Sequence, residues 1–240
     1  MGDQEVGAVA SSPSRLRRAL SATAGCLILL CAACTATSES PRADSTEPST
    51  TRPSAISTTP PPAPPASTPS PDPALEVRDA DGRTPLVAAT KANDVETARR
   101  LILAGADVNA KDDLDDSAYL YAGAEGLDEI LVLTLDHGAD VRSLNRFGGT
   151  ALIPAAEKGH PTTVQLLIDA GVPLDHINYS GWTALLEAVV YGDDSAPYQD
   201  IVARLLAAGA NPDIRDAQGR TALNNARNLG QTDIVRLLGG

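Results

Sequence analysis

Three histidines are the first residues to test for chemistry, because a neutral imidazole binds metals and transfers protons near neutral pH. His137 precedes Gly138 and His160 follows Gly159, and both positions are typical of helix ends rather than of a ligand set. His176 has no second ligand at helical spacing. The sequence contains no HExxH, GxSxG or phosphate-loop motif. We therefore expect no catalytic residues, no metal site and no cofactor.

Four carboxylates lie close together at Asp112, Asp113, Asp115 and Asp116. Such a cluster is a candidate Ca²⁺ site, but its spacing lacks the glycine and the terminal Glu of an EF-hand loop. We interpret it as a solvated segment that attracts basic partners or repels acidic ones. The whole chain has a net charge of −12. Because nucleic acids are bound largely through Lys and Arg, we expect no nucleic-acid partner.

All three cysteines, Cys26, Cys31 and Cys34, fall near the N-terminus, so the rest of the chain has no disulfide, thiolate ligand or thiol nucleophile. Arginines within residues 15–18 precede an uncharged run at 19–33. A basic start, a short apolar stretch and small residues at its end are typical of a secretory signal. The run is short for crossing a hydrocarbon core of about 30 Å. We therefore expect residues 1–34 to be a signal peptide.

The end of this segment, Ala32-Ala33-Cys34, resembles a bacterial lipoprotein signal, in which the Cys after two small residues becomes the lipidated first residue. Cys31 departs from that pattern, because an aliphatic residue usually stands three positions before the lipidated Cys. The resemblance implies a lipid on Cys34 and attachment to a membrane. Ordinary cleavage near Cys34 or Ala36, with no lipid, is the alternative.

Residues 35–73 consist almost entirely of Ser, Thr, Pro and Ala, including a proline-rich run at 60–65. A segment of this composition cannot bury enough apolar surface to fold, so we expect it to be disordered or polyproline-like. It would serve as a spacer that holds the following domain away from a membrane. O-glycosylation of the Ser, Thr and Pro tract is a further alternative.

One pattern recurs at a fixed spacing in the rest of the chain. The Thr of the segment 81–86 is followed by equivalents at steps of 33 residues and one step of 38, at Thr84, Ser117, Thr150, Thr183 and Thr221. The triplet 105–107 recurs with the same steps. A fixed period of this length indicates a stack of units, each of which buries its apolar face only against its neighbours.

The period and the words TPL and AGADVN resemble the ankyrin repeat over residues 75–240. Residues 148–160 and 181–188 look similar to small bacterial ankyrin proteins, many of them exported. The resemblance implies an all-α ankyrin-repeat solenoid of about five helix-turn-helix units with hairpin-like tips. We place this domain at 74–240, with repeats at about 79–111, 112–144, 145–177, 178–215 and 216–240.

Within each unit, the Thr or Ser is expected to cap the first helix with its hydroxyl, and Pro85 suits a first helical position. A glycine such as Gly105 is expected to end the second helix. Repeat 4 is five residues longer, and we place the insertion within 193–199, between its two helices. Ankyrin repeats often have a His after TPL, but apolar residues stand at most of these positions: Val87, Leu120, Ile153 and Leu186, with Asn224 in repeat 5.

Ankyrin domains usually bind through their tips and the concave face of their first helices. In register, the tips include Arg83, Arg146, Phe147, Tyr179, Trp182 and Arg220, and the outward first-helix positions are Ala88, Tyr121, Pro154, Glu187 and Asn225. The resemblance implies that partners contact Arg146, Phe147, Tyr179, Trp182, Tyr121, Glu187 and Arg220. Trp, Tyr and Arg dominate binding hot spots. The alternative is that the tip aromatics pack on one another for stability alone.

These observations predict a monomeric, non-catalytic protein-binding module. We expect it to be exported, held on the outer face of a bacterial membrane by a lipid on Cys34, and bound to an envelope protein. The alternative is a secreted, unanchored accessory or inhibitor of an extracytoplasmic enzyme, including a stress-related one.

Overall fold

The computed structural model describes residues 72–240, so the expected signal peptide, Cys34 and nearly all of the linker lie outside the described residues. The described part contains no strand, a short 3₁₀ turn at Pro73–Glu76 and ten α-helices. The helices are α1 Pro85–Lys91, α2 Val95–Leu103, α3 Ala118–Glu125, α4 Asp128–Asp136, α5 Leu152–Glu157, α6 Pro161–Asp169, α7 Ala184–Tyr191, α8 Ala196–Ala207, α9 Ala222–Leu229 and α10 Thr232–Leu237. None of them is long and apolar enough to span a bilayer.

The helices form two layers. The odd-numbered helices, which begin each repeat, pack side by side from α1 to α9, and the even-numbered helices form a second layer from α2 to α10. Each odd helix also packs on the even helix that follows it. Every unit therefore buries its apolar face against its neighbours, as the fixed period predicts. The expectation of an all-α solenoid of five repeats is confirmed.

The core follows the repeat register. The Leu or Tyr of each TPL-like word is buried in repeats 1 to 4, at Leu86, Tyr119, Leu152 and Leu185. The next position, where a His is common, is also buried and apolar at Val87, Leu120, Ile153 and Leu186. Apolar packing therefore occupies the place of a histidine network in these four repeats.

The expected hydroxyl caps are present in four repeats and absent from the third. Thr84, for example, accepts a hydrogen bond from the Val87 amide at 3.3 Å, and Ser117, Thr183 and Thr221 cap their helices in the same way. Helix α5 instead begins after Ala151, and the buried Thr150 hydroxyl has no partner in residues 72–240. The reason is a tighter first turn, because the Ile153 amide donates to the Thr150 carbonyl at 3.2 Å.

The second helices end where the glycines predict. Gly105, which follows α2, has a φ of 95°, and the Ala106 amide after it donates to the Leu101 carbonyl at 3.0 Å. A left-handed residue at this position satisfies a free carbonyl of the last turn, and glycine adopts that conformation without steric cost.

The insertion in repeat 4 is only partly a longer turn. Helix α8 has 12 residues, whereas its counterparts α2, α4 and α6 each have 9. The extra residues therefore lengthen the second helix as well as the turn at 192–195. The expectation that the whole insertion lies between the two helices is corrected accordingly.

Candidate functional site

Each repeat begins with a tip loop built on one Asp or Asn. In repeat 4, Oδ1 of Asn178 accepts the backbone amides of Ser180 and Trp182, both at 3.0 Å. The same pair of bonds, to the residues two and four positions later, forms at Asp79, Asp112, Asn145 and Asp216. Sequence reasoning missed this position, although an Asp or Asn stands there in all five repeats at the steps of the Thr.

The acidic cluster at the second tip is not a uniformly solvated segment, which corrects the sequence interpretation. The side chain of Asp112 is only 1% exposed, and Lys91 Nζ lies 2.6 Å from it and 3.0 Å from Asp116. Burial alone would raise the pKa of Asp112, but the Lys91 ammonium and the tip amides outweigh burial and lower it. Asp113 and Asp115 remain exposed. In residues 72–240, no group of His, Cys, Asp or Glu is arranged to hold a metal ion.

A groove of about 450 Å³ lies across repeats 2 to 4. Of the residues predicted to contact partners, it is lined by Tyr121, Arg146, Phe147 and Glu187. The tip loops of repeats 3 and 4 and the first helices α3, α5 and α7 contribute its walls. Sequence reasoning missed Glu157 and Tyr191, which also line it. They follow positions 154 and 187 by three and four residues, so helical spacing could have placed them on the same face.

Glu187 lies at the floor of the groove and is only 5% exposed. Asn178 Nδ2 donates to its Oε1 at 2.8 Å, whereas Oε2 has no partner within residues 72–240. Burial raises the pKa of Glu187 to about 7, with the Asn178 bond opposing the shift and the charge of Glu157 adding to it. The expected outward position is therefore a covered one, because the tip amide holds the side chain inward.

Two more of the expected outward positions are covered as well. Asn225 is 3% exposed and donates to Asp216 Oδ2 at 3.0 Å, which is the counterpart of the bond between Asn178 and Glu187. Pro154 is also buried, whereas Ala88 and Tyr121 are half-buried. Of the five first-helix positions expected to face solvent, three are therefore buried and two are half-buried beneath the tips.

The upper wall of the groove combines aromatic and basic side chains. The Phe147 ring is 59% exposed, and the Arg146 guanidinium lies 4.8 Å from its centroid. Arg146 also lies 3.3 Å from Asp116. Lys91 Nζ lies 5.2 Å from the centroid of Tyr121. Both basic groups are already paired with carboxylates, and the Phe147 ring remains exposed for contact.

The remaining predicted contact residues divide into one exposed ring and two packing residues. Tyr179 is 81% exposed, and its ring covers Gly148, where a Cβ would lie 2.5 Å from ring carbons. Trp182 is half-buried and meets the Tyr191 ring edge-on at 5.6 Å. Arg220 pairs with Asp216 at 2.9 Å. Trp182 thus has the packing that the stability alternative describes, and partner contact at these three residues stays a prediction.

The three histidines are separate and structural. His137 Nδ1 lies 2.8 Å from the Leu133 carbonyl, and His176 Nε2 lies 2.7 Å from the Gly148 carbonyl of the previous tip. His160 packs over Gly126, and burial followed by the charge of Lys158 lowers the pKa of its imidazole. Each ring thus stabilises a turn or a contact between repeats.

Comparison with known proteins agrees with this architecture. Models of the ankyrin repeat match residues 119–216, as three copies, and residues 81–113. An ankyrin repeat domain from Acinetobacter baumannii is 57% identical, with 68% of this chain and 84% of that chain covered and a TM-score of 0.67. The ankyrin repeat protein EF0377 is 47% identical, with 69% and 84% covered and a TM-score of 0.67. No curated protein sequence matches significantly. With five stacked helix pairs and these matches, the chain belongs to the ankyrin repeat family.

Proposed function

We propose that the chain captures an envelope protein across the groove and tips of repeats 2 to 4, while a lipid on Cys34 holds it on the outer face of a bacterial membrane. Ankyrin repeats indicate a protein-protein interaction module, and such scaffolds are typically non-enzymatic. Membership of the family indicates protein binding in general, whereas the binding surface, the envelope partner and the lipid anchor are specific to this proposal.

The observation that carries the proposal is the exposure of aromatic rings on two neighbouring tips beside the groove. The chain has only seven aromatic residues, yet Phe147 and Tyr179 are 59% and 81% exposed. The Tyr179 amide donates to the Phe147 carbonyl at 3.0 Å, which fixes the two tips against each other. Rigid, exposed aromatic side chains bury large area at a small entropic cost when a partner covers them.

The anchor is supported by the sequence alone. Small residues at Ala32 and Ala33 precede Cys34, a basic and then apolar stretch precedes them, and a spacer rich in Ser, Thr and Pro follows. A spacer of 39 residues, if extended at about 3.1 Å per residue, would reach on the order of 100 Å. That reach would let the repeat domain meet proteins well beyond the membrane surface.

The test is site-specific photo-crosslinking on intact cells. A photoreactive phenylalanine replaces Phe147 or Tyr179, and the control places it at Leu103, which is 67% exposed on α2 in the other helix layer. We expect the first two positions to crosslink the same envelope protein and the control to give none. Equal crosslinking from all three positions would contradict the proposal. In the same material, the mass of the mature N-terminus distinguishes a diacylated Cys34 from an unmodified one, which is the mark of the secreted accessory.

A further inference from the structure

We propose that the groove is a receptor for one lysine side chain of the partner protein, whose ammonium group pairs with Glu187 at the floor and with Glu157 beside it. The inference rests on the proposed function, because it names the chemistry of the partner at the same groove. It specifies a positive charge on the partner, which the exposed aromatic rings at the tips do not specify.

One oxygen of the buried Glu187 carboxylate has no hydrogen-bond partner in residues 72–240. Asn178 donates to Oε1, whereas Oε2 is buried and accepts no hydrogen bond from residues 72–240. Glu187 as a whole is only 5% exposed. Buried polar atoms are nearly always paired, and an unpaired one costs free energy. A donor brought by a ligand into the groove would complete the pairing of this oxygen.

The groove has more carboxylates than basic groups to pair with them. Its lining includes two basic residues, and each already has a carboxylate partner, Arg146 with Asp116 and Lys158 with Glu125. Glu157 and Glu187 remain, and neither has a basic partner within residues 72–240. Their mutual repulsion contributes to the raised pKa of Glu187. A single positive charge placed between them would relieve that repulsion.

The pairing of the Glu187 oxygens favours an ammonium group over a guanidinium group. Oε1 of Glu187 already accepts from Asn178, so a planar guanidinium would have to share that oxygen to form its usual two parallel bonds, whereas a single donor needs only Oε2. The lysine ammonium group is a compact charge on a flexible apolar stem, so it can reach one buried acceptor such as Oε2 of Glu187. Tyr191, one turn after Glu187 and 55% exposed, offers an aromatic ring to that stem and charge.

Binding of this kind depends on pH, because only ionised Glu187 attracts the ammonium. The charged and titratable groups around it are Glu157 at the end of α5, Lys158 just after it, Tyr191 on α7, Tyr121 and Glu125 on α3, and Asp116 and Arg146 at the tips. Burial raises the pKa of Glu187 to about 7, well above the usual range of the other carboxyls. Affinity is therefore expected to fall as the pH is lowered from about 8 to about 6.

The experiment uses ¹⁵N-labelled full chain and the peptide acetyl-Gly-Lys-Gly-amide, with the norleucine peptide as the neutral control. We expect saturable shifts at the amides of Asn178, Glu187 and Tyr191, and at least about tenfold weaker binding of the control, since a charged hydrogen bond is lost. Glu187→Gln keeps the bond from Asn178 and should lower affinity about tenfold and remove the pH dependence. Glu157→Gln should lower it several-fold, whereas Glu129→Gln, at an exposed position of α4 in the other helix layer, should leave it unchanged.

Three results would overturn the inference: equal binding of the norleucine peptide, equal binding of an arginine peptide, or unaltered affinity in Glu187→Gln. The peptide titration needs no natural partner, so it is independent of the crosslinking experiment. If Phe147 and Tyr179 crosslink a partner whose capture is unchanged in Glu187→Gln, the proposed function stands and the lysine receptor falls. If no protein crosslinks at either tip, the proposed function itself fails.

Discussion

Equivalent residues of repeats 4 and 5 show how a neighbouring side chain decides the state of a buried acid. In repeat 4 the tip residue is Asn178 and the helix residue is Glu187, so one amide faces a carboxylate with a free oxygen. In repeat 5 the pair is reversed, with Asn225 donating to Asp216. Burial alone would raise the pKa of Asp216, but the bonds from Asn225, Arg220 and the tip amides lower it to about 2. The acid on the tip is fully bonded, whereas the acid on the helix is not.

We predict that ionisation of Glu187 weakens the fold as the pH rises. Its pKa is 4.5 in an ordinary setting and about 7 in the folded chain. Between these values the folded state holds a proton that the unfolded state has lost. The resulting stability is fully present below pH 4.5 and is lost as the pH rises through about 7, which amounts to roughly 3 kcal/mol. Urea unfolding at pH 5 and pH 8 measures this change in the free energy of unfolding.

The variant Glu187→Gln isolates this effect from all other titrating groups. It should be more stable than the parent at pH 8 and nearly equal at pH 5, because the amide has no proton to lose. Glu125→Gln is the matched control, since Glu125 is exposed and paired with Lys158, and it should keep the parent's dependence on pH. Identical pH profiles for the parent and Glu187→Gln would contradict the prediction.

At the scale of the element, the same substitution should have opposite effects in two repeats. Thr183 caps α7 by accepting from the Leu186 amide at 3.3 Å, so Thr183→Val should cost about 1 kcal/mol of stability. Thr150 occupies the equivalent position, but its buried hydroxyl has no partner in the described chain. Thr150→Val replaces an unpaired hydroxyl by a methyl group and should leave stability unchanged or raise it.

Chemical denaturation of the two valine variants beside the parent measures this difference. The pair serves as its own control, because the residue, the substitution and the register position are the same. Equal losses in both variants would show that the Thr150 hydroxyl also has a bonding role. The midpoint would then shift in the same direction for both.

The sequence predicted the helix pairs and missed the interactions that cross between loops and helices. Its signals were the period of 33 residues, a proline at a helix start and glycines at helix ends. The fold confirms the helix start at Pro85 and the helix end at Gly105. The failed cap at Thr150 depends on a tighter first turn, which no residue type there reveals. The burial of Glu187 depends on Asn178, nine residues earlier, whose inward amide the period alone could not indicate.

The same limit applies to the side-chain directions of the predicted contact residues. Position in the repeat placed Phe147 and Tyr179 at tips, and both are exposed. It also placed Trp182 there, but the ring packs against the core and meets the Tyr191 ring edge-on. Register therefore predicts which loop holds a residue, whereas the direction of its side chain depends on packing.

At the scale of the whole molecule, the helices of residues 72–240 pack mainly on those of neighbouring repeats, so the first and fifth repeats each depend on one such interface. The last repeat receives help from the insertion of the fourth. Asp194, in the turn before α8, accepts the amides of Asp233 and Ile234 at 3.1 and 3.0 Å and so caps α10. Gln231 donates to the carbonyls of Val189 and Gly192. The insertion thus caps α10 from the preceding repeat.

We therefore predict that Asp194→Gly loosens the last repeat alone. Glycine suits the φ of 62° at this position, so the variant removes the cap without adding strain. Loss of a cap worth about 1 kcal/mol should speed hydrogen exchange of α10 amides by about fivefold. The amides of α1 to α4 should keep their rates, because repeats respond only to their neighbours. Exchange followed by NMR resolves the two groups.

The control for this prediction is Asp193→Ala in the same turn. Asp193 accepts only from the Ser195 amide, at 3.2 Å, and forms no bond to repeat 5. It should therefore leave the exchange of α10 unchanged, although it alters the residue next to the cap. Faster exchange spread evenly over all ten helices of Asp194→Gly would show that the solenoid unfolds as one unit. Faster exchange confined to α10, with its partners α8 and α9 affected less, would show that the insertion acts as a local cap.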